Sequence, residues 1–318
     1  MTRGAADEPH SEVQAVLDAL EEMGAPSLEE FSPLEARDLL DGLLGRDEPS
    51  IQVASVEERT IDGPGGDLPV RIYDPRPDES RPVVCYLHGG GWVIGSLDSH
   101  DPSCRKLATE TGYVVVSVDY RLAPEHPFPA ALEDSYAALE WLADDAAAIG
   151  GDPDRIVLAG DSAGGNLAAA TALLARHRDG PSIAYQLLLY PVTGDPTETD
   201  SYEENAEGYF LTTAEMEWFR DHYLERDVDE LHLLVAPRLA RDLSGLPPAT
   251  VVTAGFDPLR EDGAAYADRL EAAGVPVTYR NYPDVIHGFM AMLEEPVDLT
   301  RAHEAYADVA ADLADALE

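Results

Sequence analysis

The chain is poor in lysine. Lys106 is the only one, and 21 basic residues stand against 62 acidic ones, for a net charge of −41. Repulsion of that size makes nucleic acid and anionic membrane surfaces unsuitable partners, because the phosphate term opposes binding. Cysteine is equally scarce: Cys85 and Cys104 are the only two in 318 residues. One lies in an apolar strand pattern and the other in a helical one, so both are expected to be reduced, packed thiols rather than a disulfide framework. No apolar run approaches the roughly 18 residues that a bilayer-spanning helix needs. The stretch Met1 to Glu8 has neither the charged-then-apolar pattern of a secretion signal nor a twin arginine. The expected location is the cytoplasm, with no integral contact with a membrane.

The excess of carboxylates admits three readings. Disorder is disfavoured because aromatic and β-branched residues run through the whole chain. A cation-binding array would need Asp-x-Asp-x-Asp-Gly loops; none is present, and no metal site is expected. The third reading is adaptation to concentrated salt, where the Debye length shrinks to ~3 Å at about 1 M and self-repulsion is screened. A carboxylate-dense surface with one lysine fits this reading best.

Taken in order, residues 11 to 45 have the period of two acidic amphipathic helices. The first carries Val13, Val16, Leu17 and Leu20 and ends at Gly24-Ala25-Pro26. The second opens at Ser32-Pro33, a cap with proline in the first turn, and carries Leu39, Leu40, Leu43 and Leu44. From Ile51 the period becomes two, and Val53 to Ile61 and Leu68 to Tyr73 flank a Gly/Pro/Asp turn, the pattern of a hairpin. Six short apolar runs follow: Pro82 to Leu87, Tyr113 to Val118, Arg155 to Ala159, Ile183 to Tyr190, Ala249 to Ala254 and Val275 to Tyr282. Helical segments lie between and after them, at Cys104 to Thr111, Ala130 to Ile149, Leu167 to Arg176, Asp262 to Ala273 and His303 to Leu317. Strands alternating with helices imply a mostly parallel central sheet flanked by helices, with ligands at the carboxyl ends of the strands. The exception is Thr193 to Ser244. It shows no buried strand: Asp195 to Asp200 is loop-like, and Thr213 to Phe219 is helical with Thr212 or Thr213 as its cap. An insertion of that length between two strands is commonly functional.

The polar and glycine-rich motifs fall at the strand ends. Gly160-Asp161-Ser162-Ala163-Gly164, between a strand and a helix, is a nucleophile-elbow pattern: the turn strains the serine backbone and leaves its neighbours no room for side chains. Alone it is a moderate signal, since Gly-x-Ser-x-Gly arises by chance roughly 0.1 times in a chain this long. A serine hydroxyl also needs a base to take its proton and a third group to orient that base. Of nine histidines, His10, His100, His177, His222, His232 and His303 read as solvated in polar or helical settings. His287 follows the last strand and stands out as the base. Asp257, directly after a strand in Gly255-Phe256-Asp257-Pro258-Leu259, is placed to orient it; Asp284, three residues before His287, is the alternative. Asp161 points away from the serine hydroxyl and is expected to brace the elbow or the histidine loop. In His88-Gly89-Gly90-Gly91-Trp92, consecutive glycines leave backbone N–H groups unobstructed for a substrate oxyanion.

His88-Gly89-Gly90-Gly91-Trp92, Asp119-Tyr120-Arg121-Leu122-Ala123-Pro124-Glu125, Gly160-Asp161-Ser162-Ala163-Gly164-Gly165, Asp257-Pro258-Leu259 and His287-Gly288-Phe289 together resemble the microbial hormone-sensitive-lipase-like esterases. The resemblance runs from about residue 50 to the C-terminus. It implies an α/β-hydrolase fold and the hydrolysis of short- to medium-chain carboxylic esters, with no metal or organic cofactor. By position it makes Ser162 the nucleophile, His287 the base, Asp257 its partner, and Gly89, Gly90 and Ala163 the oxyanion donors. The domain division it implies is a catalytic domain at 51–192 and 245–318, a cap insertion at 193–244, and N-terminal helices at 1–50 contributing to the cap. Homodimers through the last strand are implied by the resemblance alone. Trp92, Tyr190, Phe210, Val285, Ile286 and Phe289 are candidate walls of the substrate pocket. A serine peptidase or amidase would use the same triad, and a small-molecule receptor on this fold would lack part of it.

The salt reading has a direct check. After dialysis into low-salt buffer, far-UV circular dichroism should show loss of helix; a protein that stays folded and active there overturns it.

Overall fold

A computed structural model describes residues 3–24, 26–44, 49–77, 80–195, 197 and 199–317. Met1, Thr2, Ala25, Pro196 and Glu198, which enter the sequence reading, lie outside the described residues, as do the side chains of Leu43 and Leu44. Eight strands form one sheet: β1 (Ser55–Gly63), β2 (Gly66–Asp74), β3 (Arg81–Leu87), β4 (Val114–Val118), β5 (Gly151–Asp161), β6 (Tyr185–Leu189), β7 (Ala249–Phe256) and β8 (Val277–Ile286). Their order is β1-β2-β4-β3-β5-β6-β7-β8. The β1–β2 hairpin joins the edge antiparallel to β4, and every pairing from β4 through β8 is parallel. All of these strands were anticipated from the sequence. A two-stranded ribbon, β9 (Leu293–Glu294) with β10 (Val297–Asp298), was not, because two residues carry no periodicity.

Helices cover both faces, and the strand residues show why. Along β3, Val83, Cys85 and Leu87 face one layer with α4 (Ala130–Asp145) and α5 (Ala163–His177), represented by Leu139 and Leu167. Val84 and Tyr86 face the other, with Leu107 of α3 (Asp101–Thr111) and Tyr306 of α9 (Thr300–Leu317). A strand buried on both faces must be apolar at every position, which is how these runs appear in the sequence. Cys85 and Cys104 are buried, unpaired and on opposite faces of the sheet, so no bond between them is within reach.

The N-terminal helices divide their roles. α1 (Ser11–Met23) is anchored to the body: Val13 is buried in the layer with α9, and Glu12 accepts hydrogen bonds from the Thr300 amide and hydroxyl. The residues ahead of it run beside β8, with Ala6 N–H donating to Pro283 O and His10 N–H to Asp284 O, both at 2.7 Å. α2 (Pro33–Leu44) instead lies against the segment that follows the glycine loop. Its Arg37 donates to Val93 O and Ala123 O, each at 2.7 Å, and pairs with Glu125.

Residues 193–244 hold α6 (Asp200–Glu204), α7 (Thr213–Tyr223) and short 3-10 turns, with no strand among the described residues. Thr212 caps α7 through a reciprocal bond with Glu215, whose carboxylate also accepts from Leu28 N–H and so ties the N-terminal region to this segment. One buried carboxylate holds both ends of the insertion. Asp262, on α8 (Arg260–Ala272), accepts from the amides of Thr193 and Gly194 and lies 2.8 Å from Arg238 Nε. Removing that carboxylate strands a largely buried guanidinium. Asp262→Leu should therefore cost on the order of 3 kcal/mol in urea unfolding, and adding Arg238→Met should recover part of the loss, because replacing both charges is cheaper than orphaning one.

Candidate active site

Parallel strands deliver their carboxyl ends to one edge of the sheet, and the neighbours β5, β6, β7 and β8 each place a side chain there. Ser162 follows β5 with φ 54° and ψ −117°, a strained geometry for a residue with a Cβ. Its amide donates to Leu189 O at 2.8 Å, which fixes the turn to the end of β6. The glycine two residues on is required by space: a Cβ on Gly164 would sit 1.8 Å from Leu87 O. The first turn of α5 thus rides directly on the end of β3, and Ser162 stands where strand and helix meet.

Asp257 follows β7 and is fully buried. Its Oδ1 accepts from Leu259 N–H at 2.8 Å, leaving Oδ2 2.8 Å from His287 Nδ1. His287 follows β8, and its Nε2 is 2.9 Å from Ser162 Oγ. With the Nδ1 proton held on the carboxylate, Nε2 presents a lone pair to the serine hydroxyl. Asp284, the alternative partner, is instead committed to Arg301 at 2.8 Å. Tyr190, next after β6, packs its ring edge-on to the imidazole at 4.9 Å between centroids and holds it against the serine.

The glycine loop corrects one sequence-based expectation. The Gly89 amide is not free: it donates to Asp161 Oδ1 at 3.0 Å. Among the described residues, the amides of Gly90, Gly91 and Ala163 have no acceptor, and these three are the donors available to an oxyanion. Gly91 cannot be replaced quietly, since its φ is +57° and a Cβ would fall 2.2 Å from the Phe219 ring of α7. Asp161 therefore braces the glycine loop, the one place the sequence reading had not put it.

A family model for the alpha/beta hydrolase fold matches residues 84–291. The chain belongs to that family. Carboxylesterase NlhH of Mycobacterium tuberculosis is 49% identical to this hydrolase over 241 residues, which cover 74% of this chain and 75% of that one. Ethyl acetate hydrolase of Pseudomonas putida is 41% identical over 232 residues, 72% of this chain and 73% of its own. Among solved structures, a thermostable esterase from Pseudomonas putida matches with a TM-score of 0.93 at 37% identity, covering 99% of both chains. A hyperthermophilic esterase from the archaeon Pyrobaculum calidifontis matches with a TM-score of 0.88 at 40% identity, covering 97% of this hydrolase and 98% of that chain.

The proposed pocket walls divide. Val285, Ile286 and Phe289 have no accessible surface and lie in the core layer beneath the site, so they line no open pocket. An apolar run at a strand end reads the same whether it faces ligand or core. Trp92 is nearly buried, stacked on Tyr223 of α7 with centroids 4.3 Å apart, and Tyr190 is the support described above. Phe210 alone is substantially open, at 49% exposure, and closes over Gly288 beside the imidazole. A separate cavity of about 520 Å³ lies away from the triad, lined in part by Arg37, Leu68, Arg121 and Asp134. Its arginines are already paired with Glu125 and Asp134.

His88, at the head of the glycine loop, is fully buried and stacked on Tyr120. Its Nδ1 donates to Gly89 O at 2.8 Å, while Nε2 is buried without a partner. Burial, reinforced by nearby His100, pushes its pKa down to about 3. An unfolded histidine titrates near ~6.5, so the unfolded chain binds the extra proton between these values and stability falls as pH drops through that window. In concentrated salt, the slope of unfolding free energy against pH should be shallower in His88→Asn than in the parent, by up to ~1.4 kcal/mol per pH unit. Equal slopes would show that His88 titrates alike in both states.

Proposed function

We propose that this hydrolase is a carboxylesterase that cleaves short- to medium-chain acyl esters by acyl transfer to Ser162, in a protein adapted to concentrated salt. The observation that carries the reading is the unbroken relay from Ser162 Oγ through His287 to buried Asp257, at 2.9 and 2.8 Å, with free backbone amides on the neighbouring loop. Each relative named above is an ester hydrolase by name, which supports the same reaction class.

In the proposed reaction the Ser162 oxygen attacks the ester carbonyl as His287 Nε2 takes its proton, and Asp257 stabilises the resulting imidazolium. The tetrahedral oxyanion is held by the amides of Gly90, Gly91 and Ala163, the last reinforced by the N-terminus of α5. The imidazolium then protonates the leaving alcohol. In the second half His287 takes a proton from water, whose oxygen attacks the acyl carbon, and Ser162 leaves with that proton.

Residues 193–244, together with α2 and the residues before it, serve as the cap in this proposal. Support comes from their attachments: Phe219 packs on Gly91, Arg37 grips the chain beyond Trp92, and Asn205 donates to Asp257 O at 3.3 Å. The acyl group would pass Phe210, the open aromatic beside His287. The salt adaptation rests on the charge of −41.

Ser162→Ala should leave the circular dichroism spectrum unchanged and lower kcat on p-nitrophenyl butyrate by about 10⁴- to 10⁶-fold. Retention of a tenth of the parent's turnover would sink the assignment. Matched ester and amide substrates separate this reading from a peptidase, which would cleave the amide at a comparable rate.

A further inference from the structure

The sequence reading set His100 aside as a solvated histidine, yet it is only 6% exposed. It sits just before α3, between the glycine loop and the elbow. Its ring lies 5.4 Å from that of His88; its Nε2 accepts the Gly89 N–H at 3.3 Å and lies 3.4 Å from Asp161 Oδ2. The other nitrogen meets Ser99 Oγ at 2.9 Å. That hydroxyl places its own hydrogen on Ser96 O and accepts from Ser96 N–H, so toward His100 it acts as an acceptor, and Nδ1 carries a proton. Nε2 thus faces both Asp161 Oδ2 and the Gly89 amide that Asp161 also holds.

Asp161 has three polar groups around it. Tyr86 OH lies 2.8 Å and Gly89 N–H 3.0 Å from Oδ1, and His100 flanks Oδ2. The fit is tight: a Cβ on Gly89 would fall 2.4 Å from Oδ2. Burial alone would raise the Asp161 carboxyl, but His100, through its charge and hydrogen bond, and Tyr86 together hold it below its usual range. A carboxylate kept ionised beneath the loop is a strong, fixed acceptor for a backbone amide.

We propose that His100 and Asp161 are positioning residues for the oxyanion site: the buried imidazole fixes the Asp161 carboxylate, and the carboxylate takes the Gly89 amide, so that the next two amides stay free and aimed at the substrate oxygen. This rests on the esterase reading above. Neither side chain touches substrate. Both act through Gly89, one residue before the first free donor. Loss of either loosens the loop without altering the Ser162–His287–Asp257 relay.

Direct removal of an oxyanion donor typically costs about 100- to 1000-fold in turnover, and misplacing donors should cost less. The test compares the parent with His100→Gln and Asp161→Asn, and with Leu139→Ala, a core variant on α4 that controls for lost stability. On p-nitrophenyl butyrate, kcat should fall by about 10-fold in His100→Gln and up to about 100-fold in Asp161→Asn, with KM changed by less than about twofold. A trifluoromethyl ketone, which forms a tetrahedral adduct on the serine, should lose affinity by the same factors. Leu139→Ala should lower Tm and leave kcat and the ketone affinity near the parent's. A folded His100→Gln or Asp161→Asn with the parent's kcat overturns the proposal, as does a fall in kcat with unchanged ketone affinity. Should Asp161→Asn not fold, His100→Gln decides. Should the parent hydrolyse no ester, the esterase reading falls, and the rate of fluorophosphonate attachment to Ser162 in parent and variants judges the positioning claim, since that reaction uses the same amides on a phosphoryl oxygen.

Discussion

The geometry around the serine depends on how closely the backbone of α5 approaches the end of β3. With a would-be Cβ at Gly164 only 1.8 Å from Leu87 O, helix and strand touch through backbone alone. That contact forces Ser162 into its left-handed conformation and points its side chain off the sheet edge. It also brings Asp161 under the loop that continues β3, close enough for its carboxylate to take the Gly89 amide. Loosening the approach would move Ser162 and the glycine loop apart together. One steric constraint therefore sets both the serine hydroxyl and the amides proposed to hold a substrate oxyanion.

Strand order supplies the rest. β5, β6, β7 and β8 are consecutive neighbours, so residues far apart in sequence emerge side by side: Ser162, Tyr190, Asp257 and His287. Ser162, Asp257 and His287 are each held by a contact outside the relay they form. Ser162 N–H is on Leu189 O, Asp257 Oδ1 on Leu259 N–H, and the imidazole rests on Tyr190. Such independent support keeps the relay aligned before any substrate arrives, as electrostatic preorganisation requires. The insertion adds to this from above, since Asn205 binds the Asp257 carbonyl and Phe219 packs on Gly91.

Much of this was legible in the sequence, and for identifiable reasons. Strands buried on both faces leave continuous apolar runs, and glycines forced by close approach leave Gly-x-Ser-x-Gly. A polar residue directly after such a run marks a strand end at the sheet edge, which is how Asp257 and His287 stand out. What stayed hidden was burial that composition does not signal. His100 sits in Ser-His-Asp-Pro, a string that reads as exposed, and becomes buried only because α3 folds back beneath the glycine loop. The resemblance makes Gly89 a donor, and three glycines in a row look equivalent; the carboxylate at the end of the neighbouring strand β5 distinguishes the first from the others. Val285, Ile286 and Phe289 erred the opposite way, for an apolar residue near a site belongs to the core as often as to the pocket.

The extreme acidity and the chemistry occupy different parts of the molecule. With 62 acidic side chains, a carboxylate is no signal of function by type alone; what marks Asp161, Asp257 and Asp262 is that each is buried, with its oxygens committed to named donors. The sole lysine, Lys106, pairs with Glu110 one turn further along α3. Salt acts on these two populations differently. Exposed carboxylates repel one another through solvent and are screened within a few ångströms in concentrated salt, while the buried contacts lie at hydrogen-bond distance with no room for an ion. On the proposed salt reading, ionic strength acts on folding through this surface and leaves the buried contacts of the site in place.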